Sequence, residues 1–220
     1  MKIYKLPEKI SALVFDMDLT LYTSLEYGKA QNDGLVGRLG EVLGKSFEET
    51  DKEVNEYRRS FSASHGGEKP SLTSVLLNYG ISMTDNVRWR EEICEPVRFI
   101  GEDKKLAETL RELSTFYALG VVTNNPVLVA RKTLTVLGVE DYFGALVGLD
   151  TCMAAKPGRL PFIKITGLLG CGAETCVSIG DRYDIDLALP IELGMGGILV
   201  DGVEDVYRLP EVLGTRGKEE

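Results

Sequence analysis

The chain has 220 residues, 44% of them hydrophobic and 27% charged, a balance that can bury a core domain and a smaller insertion. The net charge of −9 excludes the basic face that a binder of nucleic-acid polymers needs. No apolar run approaches the roughly 20 residues that cross a bilayer, and the amino terminus does not resemble a signal peptide. We therefore predict a cytoplasmic protein that binds neither nucleic acid nor membrane, and we leave its oligomeric state open.

The cysteines do not form a metal-binding pattern. None of the four is part of a CxxC pair, and His65 is the only histidine. A zinc site would need nearly all of the thiolates at unfavourable spacings. We predict reduced thiols at Cys94, Cys152, Cys171 and Cys176.

Five continuous apolar runs predict strands that are covered on both faces. In chain order they are residues 11–16, 117–123, 145–149, 176–180 and 197–201. Helical patterns lie between or beside the later runs, at residues 102–114, 127–137, 160–169 and 184–193. The alternation predicts an α/β fold with a Rossmann-like parallel-sheet core, whose ligands bind at the carboxyl ends of the strands.

The first gap breaks this alternation. No segment of residues 26–93 reads as a buried strand, and its helical patterns cover residues 27–43, 47–63, 70–79 and 84–94. We predict an inserted α-helical cap domain at residues 23–96 and a core domain formed by residues 1–22 and 97–220. Glycines 34, 37, 40 and 44 lack the dinucleotide-binding spacing and predict close helix packing instead. Residues 214–220 are predicted to be frayed.

Polar residues follow four of the predicted strands. They are Asp16 and Asp18, then Thr123, Asn124 and Asn125, then Lys156, and finally Asp181 with Arg182, Asp184 and Asp186. Thr123 by itself reads as a helix cap, and Lys156 by itself reads as a surface lysine. Asp16 and Asp18 have no such explanation, because a buried strand does not end on two unneutralised carboxylates without a use for them. Since parallel strand ends share one edge, the set predicts an active site.

These motifs resemble those of the haloacid dehalogenase-like (HAD) hydrolase superfamily. The matches are Asp16-x-Asp18-x-Thr20, Thr123, Lys156-Pro157, and Gly180-Asp181 with Asp186 five residues further on. The insertion looks like the helical cap of the first subfamily, and residues 57–80 are diffusely similar to caps of pyrimidine 5'-nucleotidase-type members. Leu19 departs from the pattern, because relatives have Gly or Asn there, at a position that serves loop geometry.

The resemblance implies a phosphomonoesterase that works through an aspartyl-phosphate intermediate. Asp16 would be the nucleophile, and Asp18 would act as general acid and then as general base. Thr123 and Asn124 would bind the phosphoryl oxygens, and Lys156 would neutralise the charge of Asp16 and the phosphate. Relatives that attack carbon as dehalogenases lack an acid at position 18, so Asp18 favours phosphorus chemistry.

The resemblance also implies a Mg²⁺ cofactor. Its protein ligands would be the Asp16 carboxylate, the main-chain carbonyl of Asp18 and the Asp181 carboxylate, because Mg²⁺ prefers hard oxygen ligands. Asp186 would support this shell from behind, although the motif leaves Asp184 as the alternative. Thr20 is a further supporting residue.

The predicted substrate is a small phosphorylated metabolite, with a nucleoside monophosphate as the leading expectation. His65, in a loop between cap helices, is the candidate specificity residue, and a plain interhelical turn explains it equally well. The alternatives within the family are a sugar-phosphate mutase and a phosphoglycolate-type phosphatase. From other classes, a phospho-receiver would use Asp150 and would be about half this length, and an inactive binding module is not favoured because every motif residue is present.

Overall fold

The computed structural model describes residues 1–214, which form a six-stranded sheet in the order β1-β6-β5-β2-β3-β4. The strands are Lys2–Lys5 (β1), Ala12–Phe15 (β2), Ala118–Val122 (β3), Ala145–Val147 (β4), Cys176–Gly180 (β5) and Gly196–Leu199 (β6). Strands β2 to β6 pair in parallel, and β1 pairs antiparallel with β6. The predicted α/β fold and its five strands are confirmed, whereas β1 was not predicted. Apart from Gly214, the tail predicted to be frayed lies outside the described residues.

Eleven α-helices occur in this part of the chain. They are Leu25–Leu43 (α1), Phe47–Ser64 (α2), Leu72–Asn78 (α3), Met83–Ile93 (α4), Lys104–Ser114 (α5), Val127–Leu137 (α6), Leu149–Cys152 (α7), Arg159–Leu169 (α8), Ala188–Glu192 (α9), Val203–Val206 (α10) and Leu209–Val212 (α11). A π-helical turn, Tyr183–Leu187, precedes α9, and Leu149 begins α7 instead of ending a strand as predicted. No helix within residues 1–214 has both the length and the apolar composition that a bilayer span requires.

Strand β2 is buried along its whole length because helices cover both faces of the sheet. Leu13 and Phe15 point into an apolar cluster with residues of α5 and α6, and Ala12 and Val14 point into a second cluster with residues of α8. All four side chains are at most 1% exposed. This is why the strand reads as a continuous apolar run and not as an alternating one.

Helices α1 to α4 follow β2 and have an apolar core of their own. That core contains Leu35, Leu39, Val54, Leu76 and Trp89, all of them buried. A helical unit with a separate core agrees with an inserted cap over the sheet, while the exact domain boundaries at residues 22/23 and 96/97 remain a prediction.

The four inserted helices begin alike. Ser24, Ser46, Ser71 and Ser82 are their N-caps, and each serine side chain accepts a hydrogen bond from the backbone N–H three residues further on. Such a cap satisfies one of the N–H groups that the first helical turn leaves without a partner, and it stabilises a helix by about 1 kcal/mol. Local sequence therefore fixes where each of these helices starts.

The predicted close packing of glycines is confirmed at two positions of α1. A Cβ atom at position 34 would lie 2.5 Å from Ile93 Cγ2 of α4, and one at position 40 would lie 2.9 Å from Thr50 Oγ1 of α2. Gly34 and Gly40 therefore let neighbouring helices approach α1 more closely than any side chain would allow. Gly44 serves differently, as the left-handed residue that ends α1.

We expect Gly34→Ala to lower the free energy of unfolding by about 1–3 kcal/mol, because the new methyl group overlaps the stiff β-branched side chain of Ile93. Gly28→Ala, on the same helix, is the matched control, since nothing lies within 4 Å of a Cβ atom there. In that control the free energy of unfolding should rise by about 0.5–1 kcal/mol, because alanine has a higher helix propensity than glycine. Urea unfolding measures both, and equal effects would contradict tight packing at Gly34.

All four cysteines are free thiols, as predicted. Cys94 and Cys176 are buried, and burial raises the pKa of each thiol to about 12. Both therefore stay neutral near pH 7, and neither behaves as a reactive thiolate.

Candidate active site

The carboxyl ends of three neighbouring strands meet at one edge of the sheet. Asp16 follows β2, Thr123 follows β3 and Asp181 follows β5, and β2 lies between the other two strands. The backbone N–H of Asp16 donates to the carbonyl of Ile179 at 2.8 Å, which extends the β2–β5 pairing to Asp16 itself. The parallel topology therefore brings these strand ends together, as the sequence led us to expect.

Lys156 joins two of the acids in the interior. Its Nζ lies 2.5 Å from Asp16 Oδ1 and 2.7 Å from Asp186 Oδ1, and its side chain is only 3% exposed. Burial lowers the pKa of Lys156, but the two carboxylates outweigh this effect and raise it overall. The ammonium group is therefore charged and held directly against Asp16.

Three carboxylates form a cluster that is short of positive charge. Oxygen atoms of Asp16, Asp181 and Asp186 lie within 4.8 Å of one another. Burial, with the neighbouring acids, raises the pKa of Asp16 well above its usual range, although Lys156 opposes the shift. Burial and the charge of Asp186 raise the pKa of Asp181 to about 6. One lysine does not balance three acids, so the cluster fits a hard divalent cation such as Mg²⁺.

The contacts of Asp186 distinguish it from the other two acids. Its Oδ1 accepts from Lys156 Nζ, and its Oδ2 accepts from the backbone N–H of Arg182 at 3.0 Å. Both oxygens are thus occupied by donors, which leaves Asp16 and Asp181 as the freer metal ligands. Asp184 lies outside the cluster, because it pairs with Arg182 at 2.5 Å. The geometry therefore favours Asp186 over Asp184 as the residue that would support the metal ligands.

Asp18 is held by three donors: Tyr22 and Gln31, which the sequence did not indicate, and Asn125, to which it assigned no role. Its Oδ1 accepts from the Tyr22 hydroxyl at 2.5 Å and from Gln31 Nε2 at 2.9 Å, and its Oδ2 accepts from Asn125 Nδ2 at 3.0 Å. Gln31 belongs to α1 of the helical insertion, whereas Asn125 follows β3. The carboxylate is therefore held by groups of both the sheet domain and the helical insertion.

Thr123 and Asn124 lie beside this site. Thr123 is buried, and its Oγ1 accepts from the backbone N–H of Asn125 at 3.1 Å within the turn after β3. The N-cap of α6 is Pro126, so Thr123 is not the helix cap that its residue type suggested. The side chain of Asn124 makes two hydrogen bonds to the backbone of Lys156. Its Oδ1 accepts from the N–H at 2.7 Å, and its Nδ2 donates to the carbonyl at 3.2 Å. The main-chain N–H of Asn124 is then the group that we expect to meet a phosphoryl oxygen.

The loop after Asp18 shows why relatives have Gly or Asn at the position of Leu19. Leu19 has φ = 58°, a left-handed conformation that Gly and Asn adopt at lower cost than other residues. Thr20 is fully buried, and its hydroxyl has no hydrogen-bond partner within the described residues. Leu19 thus serves loop geometry, and Thr20 remains a predicted supporting residue without an observed contact to the acids.

His65 does not approach these residues. It is exposed, and its ring stacks on Phe61 with 3.8 Å between ring centroids. The helical insertion instead contributes Arg90 of α4, which is only 6% exposed and which the sequence analysis did not select. A charged residue in a helix usually faces solvent, so nothing in the local sequence indicated that this arginine points inward.

A cavity of about 210 Å³ lies between the sheet edge and the helical insertion. Its lining includes Asp16, Asp18, Lys156, Asp181 and Asp186 from the core, with Thr73 and Arg90 from the insertion. Neither His65 nor Thr123 belongs to the lining. The cavity thus places the acids, one lysine and one buried arginine around a space for a small molecule.

The fold and these motifs define the class of protein. Residues 13–198 match the family described as haloacid dehalogenase-like hydrolase. The chain belongs to the haloacid dehalogenase-like hydrolase family.

Similar proteins extend this result. The chain is 28% identical over 198 residues to the glyceraldehyde 3-phosphate phosphatase of Methanocaldococcus jannaschii, covering 84% of this chain and 82% of that one. It is 24% identical over 224 residues to the phosphoglycolate phosphatase of Neisseria gonorrhoeae, covering 94% and 90%. Among solved structures, a HAD phosphatase from Thermococcus onnurineus superposes with a TM-score of 0.62 at 21% identity, over 94% of this chain and 99% of that one. The last likeness shows a shared fold.

Proposed function

We propose that this chain hydrolyses a small phosphorylated metabolite of two or three carbons, with Mg²⁺ and through an aspartyl-phosphate on Asp16. The observation that carries the proposal is the contact of Asp16 with Lys156 inside a cavity that also holds Asp18 and Asp181. This arrangement supports Asp16 as nucleophile, Lys156 as its charge partner, Asp18 as general acid and Asp181 as a metal ligand.

The enzyme class follows from the family and from the names of the relatives: the chain is a HAD-type phosphatase, a phosphoric monoester hydrolase. The same names support the phosphoglycolate-type alternative better than the nucleotide expectation, because neither relative is named a nucleotidase. The cavity agrees, since about 210 Å³ is less than the roughly 300–1,000 Å³ of clefts that hold drug-sized ligands.

Two functions from other classes gain no support. A phospho-receiver would need an acceptor at Asp150, but this residue caps α6 by accepting from the N–H of Val127 at 2.9 Å. An inactive binding module would be expected to have lost part of the site. The acids and the lysine are instead all in place around the cavity.

In the first step of the proposed reaction, a carboxylate oxygen of Asp16 attacks phosphorus and the bond from phosphorus to the leaving oxygen breaks. Asp18 gives its proton to that oxygen, so an alcohol leaves and an acyl phosphate remains. Lys156 offsets the negative charge that Asp16 and the phosphoryl group bring together. Mg²⁺, when bound by the Asp16 and Asp181 carboxylates and the Asp18 carbonyl, supplies further charge stabilisation.

In the second step a water molecule attacks the phosphorus of the aspartyl-phosphate. Asp18, now ionised, takes the proton of that water, and the acyl–phosphate bond breaks to give inorganic phosphate and free Asp16. Tyr22, Gln31 and Asn125 keep the Asp18 carboxylate in one orientation through both steps. Positioning and charge stabilisation supply most of the catalysis in such transfers.

Asp18→Asn should lower kcat by about 10²–10⁴-fold for an alkyl phosphate such as phosphoglycolate, because the leaving alkoxide then receives no proton. With p-nitrophenyl phosphate, whose leaving group needs no proton, the first step should survive and the second should remain slow. Rapid-quench kinetics with that substrate should therefore show a burst followed by slow turnover. An equal loss in the first step for both substrates would contradict the assigned role of Asp18.

Phosphate release from a panel of phosphomonoesters tests the function as a whole. The panel contains phosphoglycolate, glyceraldehyde 3-phosphate, hexose phosphates and pyrimidine and purine nucleotides, each with Mg²⁺ and with EDTA. We expect Mg²⁺-dependent turnover, fastest for the two- and three-carbon compounds. No turnover of any compound by folded protein would refute the proposal. A clear preference for nucleotides would restore the initial expectation, and steady phosphate release would count against a mutase.

A further inference from the structure

Arg90 is a buried cation without an anionic partner. Its guanidinium donates from Nε to Asn86 Oδ1 at 2.9 Å, from Nη1 to Asn125 Oδ1 at 2.9 Å, and from Nη2 to Thr73 Oγ1 at 3.4 Å. All three acceptors are neutral. Among residues 1–214, no carboxylate lies within salt-bridge distance of this side chain.

The other cations that line the cavity already form ion pairs with aspartates. Three basic residues line it, namely Arg90, Lys156 and Arg182. Lys156 contacts two aspartates, and Arg182 pairs with Asp184. Arg90 is thus the one lining cation in the described part of the chain that forms no ion pair, since Asn125 stands between it and Asp18.

Such an arrangement is unfavourable unless a ligand supplies the missing charge. Burial lowers the pKa of the Arg90 guanidinium, yet arginine keeps its charge in proteins, so the cost of taking it out of water remains. A guanidinium has five N–H donors, and the three contacts above occupy only three of them. Two N–H groups are left, one on Nη1 and one on Nη2, and a bidentate contact with a carboxylate uses two N–H groups of one guanidinium.

We propose that Arg90 binds the carboxylate of the substrate, and that the substrate is therefore a phosphorylated carboxylic acid and not a phosphorylated aldehyde. The inference rests on the proposed function, because it assumes that the phosphoryl group lies against Asp16 at the other end of the same cavity. The proposal distinguishes between the substrates for which the two relatives are named, because phosphoglycolate carries a carboxylate and glyceraldehyde 3-phosphate does not. Arg90 is then the specificity-determining residue that the helical insertion supplies.

A structural role for Arg90 predicts a different pattern of effects. Through Asn125, which also contacts Asp18, the arginine connects helix α4 to the general acid. If Arg90 only braced this connection, its loss would slow the hydrolysis of every phosphomonoester alike. Recognition of a carboxylate instead predicts a larger loss for substrates that carry one.

The test compares phosphoglycolate with 2-hydroxyethyl phosphate, an analogue of the same length that has an uncharged hydroxyl group in place of the carboxylate. Hydrogen bonds to charged groups are strong enough that Arg90→Met should lower kcat/KM for phosphoglycolate by about 10–100-fold, chiefly through KM. For 2-hydroxyethyl phosphate we expect a loss at least about 10-fold smaller, because this substrate is affected only through the contact of Arg90 with Asn125 beside Asp18. Arg88→Met is the matched control, because Arg88 lies on the same helix but is exposed, and it should change neither value.

Measurements on the native protein test the inference even if Arg90→Met fails to fold. With 2-hydroxyethyl phosphate as substrate, 3-phosphonopropionate should inhibit at least about 10-fold more strongly than propylphosphonate, which lacks the carboxylate. Equal inhibition, or an equal loss of both activities in Arg90→Met, would overturn the role of Arg90 and leave the proposed phosphatase intact. If the native protein hydrolyses neither compound nor any other of the panel, the proposed function itself has failed.

Discussion

Asp16→Asn should abolish phosphate release, with kcat lower by about 10⁴-fold or more, the scale of loss when an enzyme loses its nucleophile. The amide nitrogen and oxygen occupy nearly the same volume as the carboxylate, but neither attacks phosphorus. The fold should survive, because burial raises the pKa of Asp16 and its ionised form therefore opposes folding at neutral pH. The thermal midpoint without Mg²⁺ should accordingly not fall.

Phosphate release and circular dichroism on the same preparations check this prediction. Asp141→Asn provides the matched control and should keep full activity, since Asp141 is exposed and precedes β4, at the edge of the sheet opposite to the carboxyl ends of the strands. Mass spectrometry after rapid quenching should find a phosphorylated native chain and no phosphorylated Asp16→Asn chain. Substantial turnover by Asp16→Asn would mean that another group attacks phosphorus.

Lys156→Met should be the most destabilising single change at the site. Removing the ammonium leaves Asp16 and Asp186 facing each other in the interior without their shared partner. Breaking a buried ion pair from one side costs about 3–5 kcal/mol. The free energy of unfolding should fall by this full amount at pH 7–8 without metal. Activity should fall as well, because the charge of the phosphoryl group is no longer offset.

Urea unfolding with and without Mg²⁺ measures this effect. A cation bound by the native state adds stability by mass action, and it should stabilise Lys156→Met more than the native chain, because the acids there have lost their lysine. Lys132→Met is the control: its partner Glu95 is 41% exposed, and the loss should stay below about 1 kcal/mol. A loss of this small size for Lys156→Met would show that the buried contact contributes little to stability.

The sequence predicted those parts of the fold that leave a pattern of buried residues. Strand β2 was recognisable because both of its faces are covered, so that Ala12 to Phe15 are all apolar. Strand β1 was missed because its four residues, Lys2–Lys5, are all exposed and follow no apolar pattern. Helices α10 and α11 have four residues each, too few to display a helical period.

The active-site residues divide in the same way. Asp16, Lys156 and Asp181 were predictable because a parallel sheet brings the ends of its strands to one edge. Gln31 and Arg90 were not, because Gln31 contacts Asp18 and Arg90 lines the cavity from helices, and only the packing of those helices decides which polar side chains turn inward. Asn125 was passed over beside Asn124, since the turn after β3 determines which of the two amides meets Asp18.

The two hydrogen bonds between Asn124 and the backbone of Lys156 affect which parts of this protein can be substituted without loss of catalysis. Two hydrogen bonds fix the loop that carries the lysine, and the lysine side chain is held by acids of the core alone. The roughly 1.5–2 kcal/mol of side-chain entropy that a flexible lysine loses is therefore lost at folding, before any substrate arrives. Charge neutralisation at phosphorus is thus independent of helices α1 to α4. Mutations in the helical insertion can therefore change which small phosphomonoester is preferred without displacing the Lys156 ammonium group.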